Sequence, residues 1–454
     1  MASIRKRGNS YQVTVSNGRR ADGTQIIETD TYTPEPGMTK KQIEKKLNEF
    51  VVDFERDVKA GKNVKGERMT LQQLSELFLK DMAQLLEKTT LHGYQRSLEL
   101  RIVPSIGHVK LKDVNARLLK DYASKLREDG TRQDGKKGSL SDSTISKDMA
   151  IVSSMLSYAV GEGYIPLNPI IYSGKQKGRK KARKEYRVNY FTIEQTKWFL
   201  WALDNVIEVK RKSHDRVDDT GKPYHVPEYT QKWKLPLKWR VYFYLALFTG
   251  DRRGENVALT WDDLNFDTGE VRIEKATAYA AKETYQKDTK THSSRVDVVP
   301  PIVMSAARKL KAEQKQESLK LGDAWIGYKG KDFDKNFVFT QWNGKQINLY
   351  SPYREFKRII RIYNENVAKD EFEKIPSDAT MHGLRHTAAS ILISNNMDPS
   401  SVAGVLGHAD PTTTLNIYSY FFKSKNQEAA NIMENILDTI IESPFLKRIT
   451  ALSC

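Results

Sequence analysis

The sequence predicts a multidomain α+β protein: a small N-terminal β-sheet plus a helix, then a helical domain, then a mostly α domain with a small β-sheet. Three observations predict it. At 454 residues the chain is too long for one ordinary hydrophobic core. Its apolar residues alternate with period two near the N-terminus and follow a helical period over most of what comes after. A basic run at 173–187, SGKQKGRKKARKEYR, has little to bury and separates two regions that have much. The expected segments are 1–64, 69–172, the linker 173–187, and 188–454.

In the first segment Tyr11, Val13 and Val15 alternate in YQVTVS, turn signals stand at Asn17-Gly18 and Asp22-Gly23, and QIIETDTY can pair as a further strand. A helix starts at Thr39, where Gln42 completes a capping box. Ile43, Leu47, Phe50, Val51, Phe54 and Val58 form its apolar stripe. In the second segment Thr70 and Gln73 make another capping box ahead of the stripe Leu71, Leu74, Leu77 and Phe78. Helical periodicity continues through YQRSLELRIVPSIG, VNARLLKDYASKLRE and STISKDMAIVSSMLSYAV, with Asn168-Pro169 closing the last. Between Leu126 and Leu140 the polar run REDGTRQDGKKGS predicts an exposed loop.

In the last segment WRVYFYLALFTG is apolar nearly all round, which predicts a buried helix that delivers Arg252 at its end. GEVRIEKATAY and RVDVVP predict strands with Lys290 in the connection. Phe337 to Thr340 and Gln346 to Ile347, split by Asn343-Gly344, predict a short hairpin, and PYREFKRIIRIYN returns to helix. The charged stretch from Asn205 to Trp239 is assigned no function. Asp398-Pro399 and Asp410-Pro411 each put a capping carboxylate before a proline at the first helical position, and Gly407 ends the helix between them.

The formal net charge of +17 implies a polyanionic partner, with nucleic acid the natural candidate. An anionic membrane would also attract the charge, but no apolar run approaches the ~18 to 20 residues that span a bilayer, and MASIRKRGNS does not read as a signal peptide. The protein is expected to be soluble and intracellular. The single cysteine, Cys454, rules out an internal disulfide and a thiolate metal cluster.

Chemistry concentrates between Met381 and Tyr418. Thr380 is placed to cap a helix that carries His382 and Arg385 in its first turn, where free backbone N–H groups and the macrodipole favour an anion. Arginine can fork two phosphate oxygens and tyrosine can serve as nucleophile, so the group suits phosphoryl transfer on a phosphodiester. Taken singly, a helical tyrosine or histidine is more often packing. His382 and His386, four apart, also invite comparison with H-E-x-x-H zinc proteases, but Gly383 stands where the glutamate is needed.

The ordered set H-x-L-R-H-T, then L-G-H, then T-x-x-x-Y-S resembles the C-terminal signature of the tyrosine recombinases, the phage integrase family. Upstream, Thr249-Gly250-Asp251-Arg252-Arg253-Gly254-Glu255 resembles the family's first arginine box, and Thr289-Lys290-Thr291 followed by Ser294-Arg295 its β-hairpin lysine. Arg252, Lys290, His382, Arg385, His408 and Tyr418 match in order, with Glu255 as supporting acid. Two positions depart from the pattern: Asp251 stands where leucine or methionine is usual, putting an acid beside the arginine, and Tyr420 leaves a second phenol near the nucleophile.

The resemblance implies a site-specific recombinase that integrates and excises a mobile element of the phage or conjugative kind. DNA would be cleaved through a 3′-phosphotyrosine and exchanged through a Holliday junction within a homotetramer, with no cofactor and no metal. It implies an arm-type DNA-binding domain at 1–64 with Arg5, Lys6, Arg7, Arg19 and Arg20 on DNA, although a solvated basic hairpin is the alternative. It implies a core-site-binding domain at 69–172, and Lys177, Arg179, Lys180, Lys181 and Arg183 on the backbone between domains. Core and arm attachment sites are the expected partners, with an accessory excision or DNA-bending protein. The helical run NQEAANIMENILDTII would dock on a neighbouring subunit or pack on its own. Two other functions stay open: a type IB topoisomerase, and a catalytically silent DNA-binding regulator.

Overall fold

A computed structural model describes residues 2–19, 23–59, 69–132, 137–172, 190–288 and 294–407. Outside the described residues lie Arg20, the linker cations Lys177, Arg179, Lys180, Lys181 and Arg183, and the candidates Lys290, His408, Tyr418 and Tyr420. The chain divides into two compact units, Met1–Lys180 and Lys181–Cys454.

The first unit begins with an antiparallel sheet in the order β1 (Ser3–Arg7), β2 (Ser10–Arg19), β3 (Gln25–Tyr32). The alternation in YQVTVS does what alternation dictates: Val13 and Val15 face inward against Leu47, Phe54 and Val58 of α1 (Lys40–Lys59). The Thr39 cap forms as expected, its N–H donating to Gln42 Oε1 at 2.9 Å. Two expectations are corrected. Strand β1 was not foreseen, because every residue of this edge strand is exposed and leaves no alternation to read. Asn17-Gly18 does not turn the chain; β2 runs on to Arg19 with an irregularity after Ser16, and Gly18 absorbs it at φ +96°.

A separate apolar cluster holds the helices α2 (Leu71–Met82), α3 (Lys88–Ser97), α4 (Val103–Ile106), α5 (Ala116–Lys125), α6 (Asp142–Gly161) and α7 (Pro169–Tyr172). Both halves of the Thr70–Gln73 capping box are present. Leu71, Leu74 and Phe78 are buried, whereas Leu77 faces out, being one residue off the i, i+3, i+4, i+7 stripe that starts at Leu71. A π-helical turn at Leu98–Ile102 joins α3 to α4. From that turn Arg101 forks the fully buried Asp148 of α6 at 2.5 and 2.7 Å. Asn168-Pro169 does not close α6, which ends at Gly161. Pro169 instead opens α7, while Asn168 Nδ2 reaches back to Ser153 O and Ser157 Oγ, both at 2.9 Å.

In the second unit α8 (Ile193–Asp204) leads into four strands in the stretch that had no assignment: β4 (Ile207–Arg211), β5 (His214–Val217), β6 (Pro223–Val226) and β7 (Tyr229–Trp233). β4 pairs with β7 and β5 with β6. Next comes α9 (Leu237–Phe248), whose residues 241–247 are all buried, as an all-apolar helix must be. Its Phe243 packs on Phe199 of α8 and on Phe356 of α12 (Ser351–Asn366), fixing three helices about one aromatic contact. The remaining elements are α10 (Arg253–Ala258), β8 (Glu270–Ile273), β9 (Lys275–Ala280), β10 (Glu283–Asp288), β11 (Arg295–Val298), α11 (Pro301–Leu321), α13 (Met381–Ser394) and α14 (Pro399–Leu406). GEVRIEKATAY is thus two strands, β8 paired with β11 and β9 with β10. The hairpin about Asn343-Gly344 reduces to one bridge, Thr340 to Gln346. Among the described residues no helix is long and apolar enough to cross a membrane.

Candidate active site

The site begins where α9 stops. Gly250 follows with φ +63°, a left-handed conformation that favours glycine, and a Cβ there would stand 2.3 Å from Leu406 Cδ2. The reversal puts Arg252 at the N-cap of α10. Gly254 lets that short helix lie against β9, since a Cβ on it would meet Thr277 O at 2.6 Å.

Arg252 and Glu255 then lock together. Arg252 Nη1 donates to Glu255 Oε1 at 2.7 Å, and the Arg252 backbone N–H donates to Oε2 at 3.1 Å. Arg252 Nη2 donates to the carbonyl of Gly407 at 3.2 Å, so the arginine box is tied to the end of α14. Gly407 is a left-handed helix cap at φ +63°, and Asp398 accepts from the N–H groups of Ser400 and Ser401 at the other end, both as the sequence predicts.

Helix α13 supplies the second arginine. Thr380 caps it by accepting from the Gly383 N–H at 3.1 Å. Thr387, fully buried, donates to Gly383 O at 2.8 Å and accepts from the Phe191 N–H at 2.9 Å, which holds α13 to the start of the unit. Arg385 is buried and its Nη1 donates to Gly250 O at 2.9 Å, in the turn that delivers Arg252. Burial and the neighbouring Arg252 lower its pKa to about 10. Burial, then Arg385 and Arg252, also hold the His382 imidazole below its ordinary range, so it is neutral at pH 7. His386 stands edge-on to it with ring centroids 4.7 Å apart, and burial, then His382 and Arg385, lower it to about 4.

Beneath these arginines lies an acidic layer. Arg295 Nη2 donates to Asp251 Oδ1 at 2.6 Å and to Glu255 Oε2 at 3.1 Å, and its Nε donates to Asp297 Oδ2 at 3.0 Å. The departure at Asp251 therefore places an acid on Arg295, and the carboxylate that grips Arg252 is Glu255. Burial pushes Asp251 up to about 7 and Asp297 to about 6, with Arg295 offsetting only part. Glu255, also buried, is held below its usual range because Arg295 and Arg252 both face it. Arg295 and Asp297 went unassigned in the sequence; R-V-D at strand spacing puts both side chains on one face, which is the signal that would have found them.

The structure brings together Arg252, Glu255, His382 and Arg385. Two arginines and a neutral imidazole, converging from segments more than a hundred residues apart, suit a tetrahedral oxyanion and one mobile proton. Of the arm candidates, Arg5, Lys6 and Arg7 lie on exposed β1, with Lys6 Nζ 5.8 Å from the Tyr11 ring centroid. Arg19 ends β2.

Comparison with known proteins gives the context. The phage integrase family model matches residues 225–424, the phage integrase N-terminal SAM-like domain matches 70–127, and the phage integrase SAM-like domain matches 104–177. A tyrosine recombinase XerC-like protein of Caldanaerobacter subterraneus subsp. tengcongensis is 25% identical over 441 residues, covering 94% of this chain and 96% of that protein. The transposase from transposon Tn916 of Enterococcus faecalis is 22% identical over 381 residues, 82% of this chain and 80% of that one. Among solved structures, the Tn1549 transposon integrase in complex with a circular intermediate DNA aligns with a TM-score of 0.55 at 19% identity, over 77% of this chain and 95% of that chain.

Proposed function

This chain belongs to the phage integrase family and is a tyrosine-type site-specific recombinase; from that premise we propose that Tyr418 is its nucleophile and Arg252 and Arg385 its phosphate clamp. The observation that carries the reading is the convergence of the two guanidiniums: Arg385 bonds the carbonyl two residues before Arg252, and its pKa is lowered by burial and then by the neighbouring Arg252.

In this reaction Tyr418 Oη attacks a scissile DNA phosphate. The new P–O bond to tyrosine forms as the bond to the 5′-oxygen breaks, leaving a 3′-phosphotyrosine and a free 5′-hydroxyl. The two arginines hold the non-bridging oxygens and stabilise the charge that builds in the transition state. His382, neutral at pH 7, accepts the tyrosine proton, and Lys290 gives one to the departing 5′-oxygen. His408 donates to a phosphate oxygen, and Glu255 orients Arg252. The phosphotyrosine keeps the energy of the phosphodiester, so the 5′-hydroxyl of a partner duplex can reverse the attack without a nucleotide cofactor. Two such rounds in a tetramer pass through a Holliday junction.

Residues 69–172 would bind core-type sites and 1–64 arm-type sites, the latter through Arg5, Lys6, Arg7, Arg19 and Arg20. The linker cations at 177–183 would cross the DNA backbone, giving affinity but no sequence readout. Joining both modules on one chain raises the local concentration at paired sites. An accessory excision or DNA-bending protein would set direction, and the enzyme would act at the bacterial nucleoid.

The test is recombination between two plasmids that carry the joint of the circularised element encoding the chain and its target, in EDTA and without ATP. Joined plasmids are expected. Relaxation without exchange would point to a topoisomerase, and tight binding with neither reaction to a regulator.

A further inference from the structure

Arg295 has no part in the chemistry just described, yet the structure builds the floor of the site around it. It opens β11 with its side chain 11% exposed and is held by Asp251, Glu255 and Asp297 at 2.6, 3.1 and 3.0 Å. Those acids come from three places: the turn after α9, the helix behind Arg252, and its own strand. Glu255 is gripped from both sides, Oε1 by Arg252 and Oε2 by Arg295. Arg295 also fills the space beside Gly407, where a Cβ would stand 3.0 Å from its Nη1, and the carbonyl of that glycine accepts from Arg252 Nη2 at 3.2 Å. Both described contacts of the Arg252 guanidinium, Glu255 and Gly407, therefore rest on Arg295.

The electrostatics make that support specific. Burial opposes the charge on Arg295, and the three carboxylates outweigh it, so the guanidinium stays charged. Without it, the buried acids would lose their shared cation, and those still ionised, Glu255 first, would repel one another at close range. Such a group relieves itself by taking a proton or by swinging away. Either response by Glu255 loosens its hold on Arg252.

We propose that Arg295 is a positioning residue for DNA cleavage: by bracing Glu255 and Gly407 it fixes the guanidinium of Arg252 on the scissile phosphate. This rests on the reading of Arg252 as a phosphate ligand. It sets Arg295 apart from a residue that only stabilises the fold, because loss of Arg295 must imitate, in part, loss of Arg252.

The test is single-turnover cleavage by the full-length chain on a nicked core-site duplex whose scissile group is either the natural phosphate or a methylphosphonate. In the second, an uncharged methyl replaces one non-bridging oxygen, so there is less charge for an arginine to neutralise. The ratio of the two rates reports charge neutralisation at the phosphate. Arg252→Ala is expected to shift the ratio toward the methylphosphonate. Arg295→Met is expected to lose roughly ten- to hundred-fold on phosphate, the scale of a charge-assisted contact, and to shift the ratio the same way. Arg295→Lys, which keeps the charge but cannot bridge all three acids, is expected to fall between. Equal loss on both substrates, or no loss, would overturn the inference; if Arg295→Met does not fold by circular dichroism, the lysine variant decides alone. An unchanged ratio in Arg252→Ala would instead overturn the reading of Arg252, and the inference with it.

Discussion

Arg252 and Glu255 hold each other through both the side chain and the backbone, at 2.7 and 3.1 Å. The contact makes helix α10 and its catalytic candidate one rigid piece. Glu255→Gln keeps the shape, removes the charge and turns an amide toward a guanidinium. We expect single-turnover cleavage to fall by about 2 kcal/mol of transition-state stabilisation, some thirty-fold, while DNA affinity changes little. Adduct formation under saturating enzyme, set beside a binding isotherm, measures the two separately.

His386 gives the fold an acid limit. Its folded pKa, lowered to about 4 by burial and by His382 and Arg385, lies below the ordinary histidine value of 6.5. A depressed pKa means the neutral form is favoured on folding, so its contribution is complete above 6.5 and is lost as the pH falls through about 4. His386→Gln should flatten the dependence of the thermal midpoint on pH between those limits, and leave it at pH 8 changed only by the altered packing.

Gly254→Ala is the smallest change expected to disturb the site. The new methyl would meet the Thr277 carbonyl at 2.6 Å, and backbone yields less readily than a side chain. We expect a loss of about 1 to 3 kcal/mol in a urea titration, with a cleavage defect as α10 lifts from β9.

In the helical cluster the pair Arg101 and Asp148 should behave as buried ion pairs do. Asp148 is fully buried and Arg101 19% exposed. Arg101→Met leaves a carboxylate without its partner and is expected to cost about 3 to 5 kcal/mol. Adding Asp148→Leu should recover most of that loss, a coupling visible in a double-mutant cycle of unfolding free energies.

Most of what positions the site was legible because it is local chemistry. The Thr380 and Asp398 caps, the Gly407 stop and the all-apolar run of α9 each depend on residues within a few positions of one another, and each forms as expected. Val13 and Val15 were legible for the same reason. Strands β5 to β7 were not, because β5 and β6 bury no face and β7 buries only its last residue, Trp233; in β4 the alternation is confined to Ile207 and Val209, too short a run to stand out in a charged stretch. Strand β10, also mostly exposed, merged from sequence into a connection. The pairing of Asp251 with Arg295, 44 residues apart, is a tertiary choice that neither residue announces. Asn17-Gly18 misled because a glycine that can turn a chain can also carry a bulge.

The most direct measurement is the identity of the tyrosine joined to DNA. A nicked attachment-site duplex that sheds a short fragment on cleavage traps the covalent complex, and peptide mass of the digested adduct locates it. The expected result is phosphotyrosine at Tyr418, abolished in Tyr418→Phe and retained in Tyr420→Phe. An adduct on Tyr420, or one that survives in Tyr418→Phe, would contradict the assignment of the nucleophile; a wild-type chain that binds the site and never joins it would contradict the reaction itself.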